Sequence, residues 1–246
     1  MKNTLTFEQI IQHAHAQVGS MSESKIEALT KQLENGKGIL TSEEQMILYL
    51  HKYGTIHQAK LMQAFEHIPH KLWIEGAISL VDYGCGQGIA EMVLSDFLLS
   101  QNIDNDAIKD ITLIEPSRSC LIKCIKYLDG FYYNAEIKPL LIDASHLNQD
   151  HIKPKSNYVL HIFSNVLDLE EFDFKPIIEI LKNDVTHNNI IVCVSPFYQE
   201  DMRGKRIDLF GNQLQGYKCA FRFQKHTDDW DNDYSCQIRI YVSSYY

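Results

Sequence analysis

The segment Ile78-Ser-Leu-Val-Asp-Tyr-Gly-Cys-Gly-Gln-Gly88 sets the reading of the whole chain. A β-branched and apolar run ends in Asp82, turns through Gly84, Gly86 and Gly88, and leads into an apolar stretch that suits a buried helix. Strand, glycine turn and helix N-terminus, in that order, are how α/β proteins cradle a nucleoside-containing cofactor. The glycines are spaced G-x-G-x-G. A dinucleotide fingerprint G-x-G-x-x-G needs glycine at position 89, where this chain has Ile89, and this disfavours a nicotinamide-dependent enzyme.

Downstream, strand-like runs recur at 111–115, 137–142, 157–163 and 189–194, separated by helix-compatible stretches at 91–100, 117–128 and 174–182. Such alternation implies βαβ units and a parallel sheet covered on both faces. Residues 216–223 and 235–243 are again strand-like, with no helical crossover between them, and predict an antiparallel hairpin. The acidic Asp228-Asp-Trp-Asp-Asn-Asp233 between them lacks the glycine and distal glutamate of an EF-hand loop and reads as solvated hairpin loop. The polar stretch 101–110 reads as a loop before the second strand.

Residues 1–75 differ in texture and predict three to five helices without a strand. Phe7, Ile10, Ile11, Ala14 and Val18 recur at helical spacing behind a Thr6/Gln9 capping box. Ile26, Leu29 and Leu33 form a second stripe that stops at Asn35-Gly36-Lys37-Gly38. Ser42 and Gln45 cap a third run through Tyr53, and Thr55 with Gln58 suggest a fourth helix starting after Gly54. Two units follow from this reading, a helical region at 1–75 and an α/β domain at 76–246.

The chain has 246 residues, 45% of them hydrophobic and 22% charged, which is ordinary for a globular protein. No apolar run approaches a membrane span, and the first residues lack the apolar core of a signal peptide, so the expected location is cytoplasmic. A formal charge of −9 argues against a bulk electrostatic grip on nucleic acid. Met202-Arg-Gly-Lys-Arg-Ile207 is the one short basic cluster that could form a local groove, or else a solvated loop or helix start. The six cysteines lack zinc-finger spacing and read as reduced thiols. His13 and His15 stand two apart on a helix and point away from each other, so no metal site is expected. His51 and His57 flank Gly54, where they could line the roof of a pocket or simply face solvent.

With the turn at Asp82, Gly84, Cys85, Gly86 and Gly88, the chain resembles class I S-adenosylmethionine (SAM)-dependent methyltransferases over residues 76–246. The resemblance implies a seven-stranded sheet, five parallel strands plus a C-terminal antiparallel hairpin, and SAM as cofactor. It implies that Glu115, at the end of Leu113-Ile-Glu-Pro116, accepts from the ribose hydroxyls. Asp143 and Ala144, after the third strand, would meet the adenine. The same residues have plainer uses: Glu115 as an acidic cap for the helix opened by Pro116, and Asp143 as an N-cap. After the fourth strand, Ser164-Asn165-Val-Leu-Asp168 looks like the S-N-V-L-H segment of small-molecule methyltransferases, with Asp168 where a histidine often stands. Ser164 would meet the cofactor, and Asn165, Asp168 and Tyr198 the acceptor. No [DN]-P-P-[YF] clamp follows that strand; Ser195-Pro-Phe-Tyr198 follows the fifth. The catalytic residue is left open, as is the acceptor, with a small molecule preferred over RNA or protein. A catalytically silent, methyltransferase-like subunit of a protein complex is the alternative.

Overall fold

The computed structural model describes residues 5–197, 202–227 and 233–243. Seven strands form one sheet: β1 (Ile78–Tyr83), β2 (Ile108–Ile114), β3 (Glu136–Leu140), β4 (Tyr158–Ser164), β5 (Asn188–Ser195), β6 (Tyr217–Lys225) and β7 (Cys236–Ser243). Their order is β3-β2-β1-β4-β5-β7-β6. The first five strands pair in parallel, while β7 runs antiparallel to both β5 and β6. Every residue of β1 is buried, because helices cover both faces and leave no wet side for alternation to mark. Pro139 lies in β3, at the sheet edge, where a missing backbone N–H breaks no ladder.

The helices are α1 (Phe7–Gly19), α2 (Glu23–Gln32), α3 (Glu43–Glu66), α4 (His70–Glu75), α5 (Ile89–Ser100), α6 (Arg118–Phe131), α7 (Lys175–Asn183) and α8 (Met202–Gln213). Both expected capping boxes form, Thr6 with Gln9 and Ser42 with Gln45. A cap of this kind is worth about 1 kcal/mol. Phe7, Leu33, Leu48, Leu61 and Phe65 from the N-terminal helices join one hydrophobic cluster with Ile78 and Leu80 of β1 and Met92 of α5. The second cluster, on the opposite side of the sheet, gathers Tyr83, Phe163, Ile177, Ile207 and Phe210.

Two expectations need correction. Thr55 and Gln58 start no helix, because α3 runs unbroken through Gly54. The glycine is there for packing: a Cβ at position 54 would lie 3.1 Å from Cγ1 of Ile11 on α1. Strand β2 begins at Ile108, inside the stretch expected to be a loop. Asp110 tolerates burial in it because the Ser79 hydroxyl donates to its carboxylate at 2.6 Å. The basic cluster opens a helix, α8, between β5 and the hairpin, which is the helix start that its sequence allowed. Residues 228–232 of the expected acidic loop lie outside the described residues.

Among the described residues, no helix is long and apolar enough to cross a membrane. No group of three or more His, Cys, Asp or Glu side chains is placed to hold a metal ion there either.

Candidate active site

A cavity of about 370 Å³ opens at the carboxyl ends of β1, β2 and β4. Asp82, Gly84, Cys85 and Gly86 form its floor, Glu115 and Pro116 come from the end of β2, and Asp143 and Ala144 follow β3. Ser164 and Asn165 close it beside β4. In a parallel sheet these ends meet where the connections leaving β1 and β4 depart in opposite directions, which is where α/β proteins bind ligands. Gly88 does not line this cavity; it caps α5 in a left-handed conformation and packs on Cys124.

The glycines of the turn serve different ends. At Gly84 (φ +76°) a Cβ would stand 2.5 Å from Cγ1 of Val166, so the loop after β4 can close over the turn only without a side chain there. At Gly86 (φ +54°) a Cβ would meet nothing within 4 Å, since that position faces open space. The Glu115 carboxylate pins the turn from the side. One oxygen accepts the Gly86 N–H at 2.9 Å and the other the Ser117 N–H at 2.8 Å. Burial raises its pKa while these two bonds oppose the shift. Each carboxylate oxygen keeps a second lone pair, so the staple can still accept ligand hydroxyls.

Asp143 does cap the short turn after it: one of its oxygens accepts both the Ser145 N–H (2.8 Å) and the Ser145 hydroxyl (2.6 Å). These bonds hold its pKa below the usual carboxylate value. Asp82 is buried, and its carboxyl faces that of Glu91 on α5. None of their four oxygens meets an N–H or O–H from any other group. Burial and then repulsion from Glu91 push Asp82 well up, and burial lifts Glu91 to about 7. Two carboxylates this close cannot both ionise, so the pair holds a proton between them.

Asp168 is turned away from the cavity. Its carboxylate receives Arg203 of α8 at 2.7 Å, and Arg206 donates to the carbonyls of Leu167 and Phe172. Arg203 and Arg206 of the basic cluster therefore anchor the loop after β4, while Lys205 is exposed. Tyr198 lies outside the described residues.

The N-terminal region supplies the remaining wall. Residues 36–40 line the cavity, held over α6 by a bond from the Ser117 hydroxyl to the Leu40 carbonyl at 2.6 Å. Gln87 of the glycine turn reaches the Met46 carbonyl at 3.1 Å. Tyr49 and His57 project from α3 into the same cavity, whereas His51 pairs on the surface with His15. His57 meets the Asn165 amide at 2.6 Å, and Asn165 in turn accepts from Lys60 at 2.6 Å. Lys60, only 3% exposed, had no mark in the sequence beyond a cation on an otherwise apolar stripe beside Leu61. Asn165 adopts φ +58°, a left-handed conformation that asparagine tolerates better than most residues. Carboxylates at Glu115 and Asp143, the Asp82–Glu91 pair holding one charge and one proton, and a glycine floor open at Gly86 suit a cationic, adenosine-bearing cofactor.

No family model matches the sequence, and no curated protein matches it. Solved structures do. A SAM-dependent methyltransferase from Leishmania major aligns with a TM-score of 0.51 at 10% identity, over 87% of this chain and 82% of its own. One from Clostridium acetobutylicum aligns at 0.49 with 10% identity, over 79% and 97%. Magnesium protoporphyrin IX methyltransferase from Synechocystis, solved with bound SAM, aligns at 0.47 with 14% identity, over 99% and 100%. The likeness is one of fold. With the strand order above, the chain has the class I SAM-dependent methyltransferase fold, as its motifs implied.

Proposed function

We propose that this chain binds S-adenosylmethionine in the cavity at the β1–β2–β4 ends and transfers its methyl group to a small-molecule acceptor. The observation that carries this reading is the convergence of Asp82, Gly86, Glu115, Asp143 and Ser164 on one cavity. A bound SAM supplies a methyl group already activated as a sulfonium, so the reaction asks of the protein mainly alignment and exclusion of water. Glu115 accepts the ribose hydroxyls with its remaining lone pairs, and Asp143 with the Ala144 N–H reads the adenine edge. Gly86 allows close backbone approach. The wall formed by residues 36–40, Tyr49 and His57 shields the bound cofactor from solvent.

A small acceptor is favoured over nucleic acid because both arginines of the basic cluster are committed to Asp168, Leu167 and Phe172. The strand count supports the absence of an amino-methylation clamp, since β4 ends at Ser164 and Ser195-Pro-Phe follows β5. Transfer of tritiated methyl groups from SAM into fractionated lysate tests the reading. Label in the small-molecule fraction, lost with Glu115→Ala, is the expected result. Label confined to RNA or protein would overturn the acceptor class, and no label in any fraction would overturn the activity.

A further inference from the structure

The hydrogen bonds around Lys60 fix where the protons of this cluster sit. An ammonium only donates, so the Asn165 atom 2.6 Å from Lys60 is the carbonyl oxygen. The Asn165 amide nitrogen therefore faces His57 Nδ1 at 2.6 Å, and that nitrogen must present a lone pair. In a neutral imidazole the proton then sits on Nε2, which lies 3.2 Å from the Tyr49 hydroxyl oxygen. Burial first, and the Lys60 charge second, push the His57 pKa well down and keep the ring neutral. The phenol accepts from His57, so its own proton is left to point elsewhere, and burial raises its pKa so that the proton stays on.

Every bond in this chain runs the same way: Lys60 to Asn165, Asn165 to His57, His57 to Tyr49. A relay that starts on a cation and ends on a phenol polarises each successive donor. Its last member lines the cavity. Two consequences follow. His57 is not a base available to the cavity, since Nδ1 is taken by Asn165 and Nε2 already carries a proton. The free end at Tyr49 is a strong donor that calls for an anionic oxygen.

We infer that the Tyr49 hydroxyl, driven by the Lys60–Asn165–His57 relay, is the subsite for the carboxylate of the cofactor's amino-acid end. The inference rests on the proposed SAM reading, and the sheet order locates it. Glu115 and Asp143 follow β2 and β3 on one side of β1, so the adenosine half lies there. Asn165 follows β4 on the other side, so the amino-acid half extends under the relay. A carboxylate at Tyr49 also gives the buried Lys60 a counter-charge through the chain of bonds, in addition to Asp168, whose field already reaches it.

Isothermal titration of the full chain with S-adenosylhomocysteine and with 5′-methylthioadenosine, which lacks the amino acid, tests this. Tyr49→Phe removes one oxygen and should weaken S-adenosylhomocysteine about tenfold or more, while 5′-methylthioadenosine affinity stays within about twofold. Lys60→Met, with folding checked by its thermal transition, should show the same selective loss. Equal losses for both ligands would make Tyr49 a general packing residue and overturn the inference. Undiminished S-adenosylhomocysteine binding by Tyr49→Phe would place the carboxylate elsewhere and overturn it too, leaving the cofactor reading intact. If the wild type binds neither ligand, the cofactor reading itself falls, and this inference with it.

Discussion

The glycine turn makes a paired prediction in which two adjacent substitutions fail for different reasons. Gly84→Ala places a methyl 2.5 Å from Cγ1 of Val166 on a residue held at φ +76°. A left-handed conformation costs a non-glycine residue about 1–2 kcal/mol, and overpacking adds about 1–3 kcal/mol. The sum, roughly 2–5 kcal/mol, corresponds to a fall in melting temperature on the order of 10 °C for a chain of this length. Gly86→Ala carries only the conformational cost, since its methyl meets nothing within 4 Å. It should cost about 1–2 kcal/mol of stability yet abolish or strongly weaken S-adenosylhomocysteine binding, because the methyl occupies the approach to the ligand. Urea unfolding and calorimetric titration separate the two. Val166→Ala supplies the check, since it should recover about 1–2 kcal/mol when combined with Gly84→Ala and be destabilising by itself. Equal destabilisation by the two glycine variants, or strict additivity of Gly84→Ala with Val166→Ala, would refute the reasoning.

Glu115→Gln should lose one charge-assisted bond to Gly86 or Ser117, because an amide group must then face a backbone N–H; S-adenosylhomocysteine affinity falls by about 1.5–3 kcal/mol, measured by titration. Glu91, lifted to about 7, binds a proton in the fold that the unfolded chain has already released. Stability therefore falls as pH rises from about 4.5 to 7, and Glu91→Gln should reduce that slope, the remainder belonging to Asp82, whose pKa burial also raises. The variant should gain stability relative to wild type as pH rises from about 4.5 to 8, read from urea melts. Lys60 shows the opposite sign. Burial lowers it to about 8 against the pull of Cys236 and Asp168, and His57 sits beside it. Between about pH 8 and 10 the unfolded chain binds the proton and the fold does not, so this group's contribution to stability rises with pH. Unfolding curves of Lys60→Met should lack that rise; a variant that keeps the wild-type slope would mean that another group produces it.

Residues at strand ends were the ones that sequence could place. Asp82, Glu115 and Asp143 each close an apolar run, and a parallel sheet gathers the ends of such runs at one edge. The same logic located the hairpin. Gly54 misled because a glycine inside a helical stripe looks like a stop, whereas here it admits Ile11 from a helix some forty positions upstream. Lys60 was invisible for a related reason: its partner Asn165 lies 105 residues away and meets it only when α3 docks over β4. Asp168 stood where the family pattern suggested a ligand group, but Arg203 of helix α8 claims it. Local pattern reads what the backbone dictates; it does not read pairings that only tertiary docking creates.

Binding of S-adenosylhomocysteine to the wild-type chain, measured by isothermal titration, tests the central claim most directly. Saturable one-to-one binding, displaced by SAM and lost when Asp82→Ala and Glu115→Ala are combined, is the predicted result. No detectable heat at millimolar ligand from folded protein, or full affinity retained by the double variant, would contradict it.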